Sequence, residues 1–138
     1  MVSLEDQPLG YLLNRVFAAL RTEVVTDVLE PLDLSFPQYI CLRKLSHAPG
    51  LSNAELARDS NVSRQAMNIV IRGLQDRDLV TRPDSVPSGR ALPTALTPAG
   101  AQLLKSTDAG VRTAEARVLA NLSAQERREF RRLLAAVG

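Results

Sequence analysis

The chain has 138 residues, with 17 Lys and Arg against 15 Asp and Glu, one His and one Cys. That length fits one domain, and 45% apolar with 23% charged residues is a globular composition, so disorder and low complexity explain it poorly. A single Cys excludes an internal disulfide and a zinc ribbon, and with one His it is a poor basis for a dedicated zinc or Cys–His catalytic site.

Residues 1–8 lack the basic start of a signal peptide, and no apolar run approaches the ~18 residues of a membrane span, so a reducing cytoplasm is the expected setting. Residues 9–30 read as one long helix: Leu9, Leu12, Leu13, Val16, Phe17, Leu20, Val24 and Val28 recur at three- and four-residue steps, and Pro31 should end it. Ser35 and Gln38 form a capping-box pattern opening a second helix to about Leu45, and Pro49-Gly50 is a turn. Ser52 and Glu55 repeat the pattern over a short helix to about Asp59. Ser60-Asn61-Val62 is only long enough for a turn, after which Ser63 caps a helix to about Arg77. Met67, Val70, Ile71 and Leu74 form its apolar stripe, while Arg64, Gln65, Asn68 and Arg72 lie on the other face.

The texture changes between Leu79 and Thr97. Leu79 to Arg82 is strand-like, Pro83, Pro87 and Gly89 mark a loop, and Arg90 to Leu96 reads as a return strand that Pro93 confines to an edge or bulge. Thr97-Pro98 restarts a helix to about Leu122, which Gly100 and Gly110 should weaken locally. Ser123 and Glu126 cap a last helix with Phe130, Leu133 and Leu134. Charge follows the same division. Residues 1–30 are net acidic, whereas residues 58–90 carry six arginines (Arg58, Arg64, Arg72, Arg77, Arg82, Arg90) against four acids. The basic middle favours a local polyanion-binding surface.

Short helix, tight turn, longer helix and hairpin make an arrangement that can read DNA. A helix fits the roughly 12 Å major groove, where base edges are distinguishable. Gln65 and Asn68 can pair with adenine, and Arg64 and Arg72 can reach guanine or phosphate. Ser52 and Asn53 sit at a helix start suited to phosphate. Ser88-Gly89-Arg90 at the hairpin tip would bring an arginine to an adjacent minor groove.

From about Leu9 to Val137 the chain resembles the MarR family of winged helix-turn-helix regulators. The resemblance rests on Leu56-Ala57, Val62-Ser63, Leu74 with Leu79-Val80-Thr81-Arg82, Gly89-Arg90, and Leu96-Thr97-Pro98-Ala99-Gly100. It implies a mainly α fold with a small β-hairpin wing. The winged helix-turn-helix lobe would span about residues 35–100, and a helical dimerisation lobe residues 1–31 and 104–138. It implies a homodimer reading a palindromic operator, with half-sites about one helical turn, roughly 34 Å, apart. It also implies repression relieved by an aromatic carboxylate or phenolic effector, such as a salicylate-like compound, bound between the lobes. The implied DNA-binding residues are Ser52, Asn53, Ser63, Arg64, Gln65, Asn68, Arg72, Arg82 and Arg90. Two positions depart from the family pattern. Ser88 stands where an Asp usually orients the wing arginine, and Asp78 stands where Gly is favoured for positive φ, a region Asp tolerates.

Tyr11 with Arg15, and Tyr39 with Arg43, each place an aromatic ring and a guanidinium four residues apart, a combination suited to an aromatic carboxylate. Ordinary packing and surface ion pairs are the plainer explanation for them. Cys41, among Tyr39, Ile40 and Leu42, reads as a buried structural thiol, with redox sensing as the alternative. His47 has no metal-spaced companion, and no metal or cofactor is expected. Arg127, Arg128, Arg131 and Arg132 read as a solvated helix face, and the sequons at Asn61 and Asn121 as chance matches. A protein-interaction module is the competing function, and it would require apolar residues on the face that carries Arg64, Gln65, Asn68 and Arg72. No nucleophile elbow, phosphate loop or supported carboxylate pair suggests an enzyme.

Overall fold

The computed structural model describes residues 3–83 and 93–138. Its main elements are α1 (Leu9–Val24), α2 (Phe36–His47), α3 (Asn53–Asp59), α4 (Arg64–Asp76), β1 (Val80–Thr81), β2 (Ala95–Leu96), α5 (Pro98–Val118) and α6 (Ala124–Val137). The fold is mainly helical with one small antiparallel sheet, as expected. The chain divides into two compact units, residues 29–108 and residues 1–28 with 109–138.

In the unit of residues 29–108, local chemistry sets each helix start. Ser35 Oγ accepts from the Gln38 amide while the Gln38 side chain accepts from the Ser35 amide. Ser52 and Glu55 repeat the exchange at α3, and Ser63 Oγ accepts from the Ala66 amide at α4. Each such cap is worth about 1 kcal/mol. The helices then bury one stripe each: Tyr39, Cys41, Leu42 and Leu45 from α2, Leu56 and Ala57 from α3, Met67, Ile71 and Leu74 from α4. Leu79 and Val80 close this core from the strand side.

The sheet pairs Val80 with Leu96 and Thr81 with Ala95. Leu51 adds a bridge to Thr94, so the loop before α3 supplies a third edge that the sequence reading did not include. Pro93 precedes this ladder, where its missing N–H costs nothing. The return strand expected from Arg90 is described only from Pro93 onward; residues 84–92, including Ser88, Gly89 and Arg90, lie outside the described residues.

Asp78 adopts φ 58, the left-handed conformation expected of it. The backbone just past α4 is held by Thr97. Its amide donates to the Leu79 carbonyl, its hydroxyl donates to the Asp78 carbonyl at 2.6 Å, and that hydroxyl accepts from the Gly100 amide. Gly100 is no weak point. A Cβ there would lie 2.0 Å from the Leu79 carbonyl oxygen, so only glycine lets the first turn of α5 approach this closely.

The unit of residues 1–28 with 109–138 contains α1, the second half of α5, and α6. The first helix does not run unbroken to Pro31. After Val24 the winding widens to a π turn over Val25–Leu29 and then tightens to a 3-10 turn over Glu30–Leu32. Pro31 sits inside that 3-10 turn, where it needs no amide proton. The stop comes at Asp33, in the left-handed conformation, with the Leu34 amide reaching back to the Leu29 carbonyl. Gly110 likewise serves packing: a Cβ there would meet Val28 Cγ2 at 3.0 Å. Arg117 pairs with Asp27 at 2.7 Å and Arg131 with Glu115 at 2.9 Å. Both pairs are solvent-exposed and contribute little. Leu9, Tyr11 and Phe17 of α1 are exposed, and α6 buries no residue and exposes Leu133, Leu134 and Val137.

Candidate nucleic-acid interface

The turn between α3 and α4 spans the four residues 60–63. Asn61 takes φ 55 there, its amide donates to the Arg58 carbonyl, and the Val62 amide donates to the Ala57 carbonyl. Asn53 ties the two helices together through Nδ2, which donates to the Arg64 carbonyl at 3.3 Å. With Met67, Ile71 and Leu74 in the core, the opposite face of α4 is presented to solvent.

Arg64, Gln65 and Arg72 are exposed, Asn68 is half-buried at the edge of the face, and Ser63 is exposed at the helix start. Arg64 and Arg72 form no ion pair with any described residue, nor does half-buried Arg82 just past β1. No acid among the described residues pairs with them, which suits phosphate or a guanine edge. Two neighbours differ. Ser52 is 5% exposed with its hydroxyl committed to the capping box, so it serves the fold beneath the surface and is a poor phosphate donor. Arg77, counted above with the basic middle of the chain, donates to the Asp33 carbonyl at 2.6 Å and to the Leu32 carbonyl at 3.0 Å. It pins the end of the first helical segment onto the far end of α4. The sequence reading of the α4 face also omitted Ile69, which is 67% exposed in its middle. Its absence from the apolar stripe was the available signal.

The two aromatic–arginine pairs form as their four-residue spacing predicts, one in each unit. Arg15 Cζ lies 6.0 Å from the Tyr11 ring centroid, and Tyr11 is exposed. Arg43 Cζ lies 5.6 Å from the ring centroid of buried Tyr39. Arg43 also has a partner that sequence spacing could not supply: Asp108 on α5, at 2.6 Å, with the Tyr39 hydroxyl accepting from the same nitrogen at 3.4 Å. A carboxylate arriving at Arg43 must share the guanidinium with Asp108 or displace it.

Cys41 is fully buried, and burial pushes its thiol up to about 11. A thiol held protonated and shielded is an inert core group, which argues against the redox reading. His47 is exposed in the last turn of α2. In α6, Arg127 donates to the Leu122 carbonyl, Arg131 pairs with Glu115 and Arg132 with Glu129, so much of that cluster is engaged within its own unit. No group of three metal-ligating side chains occurs among the described residues. Nor is any helix among them long and apolar enough to cross a membrane.

Over 134 residues the chain is 55% identical to the HTH-type transcriptional repressor Rv2887 of Mycobacterium tuberculosis (strain ATCC 25618 / H37Rv), covering 97% of this chain and 96% of the relative. The chain belongs to the MarR family. The family model for MarR matches residues 34–92, a span that holds α2, α3, α4 and β1. Two solved structures of Rv2887 superpose on nearly the whole chain. The complex with salicylic acid aligns at a TM-score of 0.81 and 54% identity, covering 99% of this chain and 100% of that one. The complex with DNA aligns at a TM-score of 0.81 and 51% identity, covering 96% and 99%. MarR proteins are transcriptional regulators, which is not an enzyme class, and the relative carries the name of a repressor.

Proposed function

We propose that this MarR-family chain is a cytoplasmic transcriptional repressor that binds a palindromic operator as a homodimer and is released by an aromatic carboxylate. The observation that carries the reading is the outward face of α4, where Arg64, Gln65 and Arg72 stand exposed and without ion pairs to described residues, on a helix braced by α3. Contacts are assigned to Ser63, Arg64, Gln65, Asn68, Arg72 and Arg82, with Asn53 positioning α4 from behind. Arg90 joins them from the sequence alone. Support for DNA as the partner comes from the Rv2887–DNA complex, and for the effector class from the Rv2887–salicylic acid complex. Arg43, with Tyr39 beside it, is the favoured carboxylate anchor in residues 29–108, and Arg15 with Tyr11 is the second. The exposed apolar residues of α1 and α6 supply a dimer surface. The chain acts by binding and not by catalysis.

The test is an anisotropy titration of the intact protein against the DNA flanking its own gene, at several salt concentrations, with and without salicylate. Specific nanomolar binding with a steep salt slope, weakened by salicylate, is expected. Binding no tighter than to random DNA, there and in a selection from random sequence, would overturn the reading.

A further inference from the structure

We propose that Ile69 is a specificity-determining residue that reads the C5-methyl group of a thymine in the major groove. The inference rests on the DNA-binding reading above and deepens it. At about 100° per residue, Gln65, Ile69 and Arg72 fall within an arc of roughly 60° on the side of α4 opposite its core stripe. Met67, Ile71 and Leu74 on that stripe are each no more than 2% exposed, whereas Ile69 is 67% exposed. A single exposed aliphatic is ordinary on a protein surface. This one shares the outward arc with a side chain suited to adenine and one suited to guanine, and lies between the two along the helix axis.

Chemistry narrows the occupant. Of the base edges in the major groove, only thymine presents a methyl group; the other positions offer hydrogen-bond donors and acceptors that an isoleucine would leave unpaired. Ile69 therefore favours thymine by attraction and the other bases by exclusion. Branching at Cβ holds its χ1 near one rotamer in a helix, so little side-chain freedom is lost on contact. Gln65 and Arg72 are exposed on one flank, with Asp76 exposed a turn beyond Arg72, and small Ala66 and Gly73 lie on the other, so Ile69 is the one large aliphatic side chain exposed on α4.

The experiment is a cycle between protein and base. The tightest duplex from a random-sequence selection is remade with each thymine replaced in turn, symmetrically in both half-sites, by deoxyuridine, which differs from thymidine only by the methyl group. Affinities are measured for the intact protein and for Ile69→Ala. One thymine position should weaken binding by the native chain about fourfold per half-site, the effect of one methylene-sized group returned to water. The same replacement should leave Ile69→Ala unaffected, and that variant should keep the native circular dichroism spectrum and melting midpoint because the side chain is exposed. Equal losses for both proteins at every thymine would overturn the inference while leaving DNA binding intact. An Ile69→Ala variant with native affinity for every duplex would also overturn it, and would hand this face to a protein partner. Selection of no preferred duplex would remove the DNA-binding reading, and this inference with it.

Discussion

The two units of the chain handle apolar surface in opposite ways. Residues 29–108 bury Leu29, Leu42, Leu45, Leu56, Met67, Ile71 and Leu74 almost completely. In the other unit, Val24, Val28 and Ala114 are the buried hydrophobics among the described residues, while Leu9, Tyr11, Leu133, Leu134 and Val137 face solvent. The first unit has the core of a self-sufficient domain. The second carries amphipathic helices whose apolar sides lack cover, which is the signature of a surface made for association. Under the proposed function, a DNA-reading helix needs a rigid mount and a symmetric operator needs two mounts at fixed spacing, and the two units would each meet one of those requirements.

Truncation in the packed unit should have the largest effect. Leu74→Ala removes a fully buried side chain, and urea denaturation should show a loss of about 2–5 kcal/mol. Gly100→Ala forces a methyl against the Leu79 carbonyl oxygen and should cost about 1–3 kcal/mol in the same assay. An unchanged midpoint would mean that the junction between β1 and α5 is softer than its geometry. Leu134→Glu tests the uncovered unit. It should leave the far-UV spectrum intact and raise the dimer dissociation constant at least about tenfold in sedimentation, or roughly 1.4 kcal/mol. Retention of a tight dimer would place the proposed interface elsewhere. Asp108→Asn should have the smallest effect on stability, below about 1 kcal/mol, because its pair with Arg43 is partly exposed. It should also tighten salicylate binding in calorimetry by freeing the Arg43 guanidinium, whereas Arg43→Ala should weaken it. Unchanged affinity in both variants would remove Arg43 as the anchor.

Much of residues 29–108 was legible before any coordinates because its determinants are local. Ser35 with Gln38 and Ser52 with Glu55 are patterns that form their own hydrogen bonds, and positive φ at Asp78 was implied by the family resemblance, which favours Gly at that position. What escaped depends on distant partners. Gly100 and Gly110 look like helix defects until Leu79 and Val28 approach them. Arg77 looks like one more surface cation until the carbonyls of Leu32 and Asp33 meet it. The π turn at Val25 has no local signature, and Asp108 lies 65 residues from Arg43. Ile69 is a different case, since helical periodicity alone places it off the core stripe and on the outward face.

The claim at the centre is that the outward face of α4 reads bases. Dissociation constants for the intact protein and for Arg72→Ala, on the selected operator and on a scrambled duplex at one salt concentration, test it most directly. Arg72→Ala should lose about 1–3 kcal/mol on the operator and much less on the scrambled duplex, so that discrimination collapses. An equal loss on both duplexes would reduce Arg72 to a phosphate contact, and no loss on either would contradict the placement of α4 in the groove.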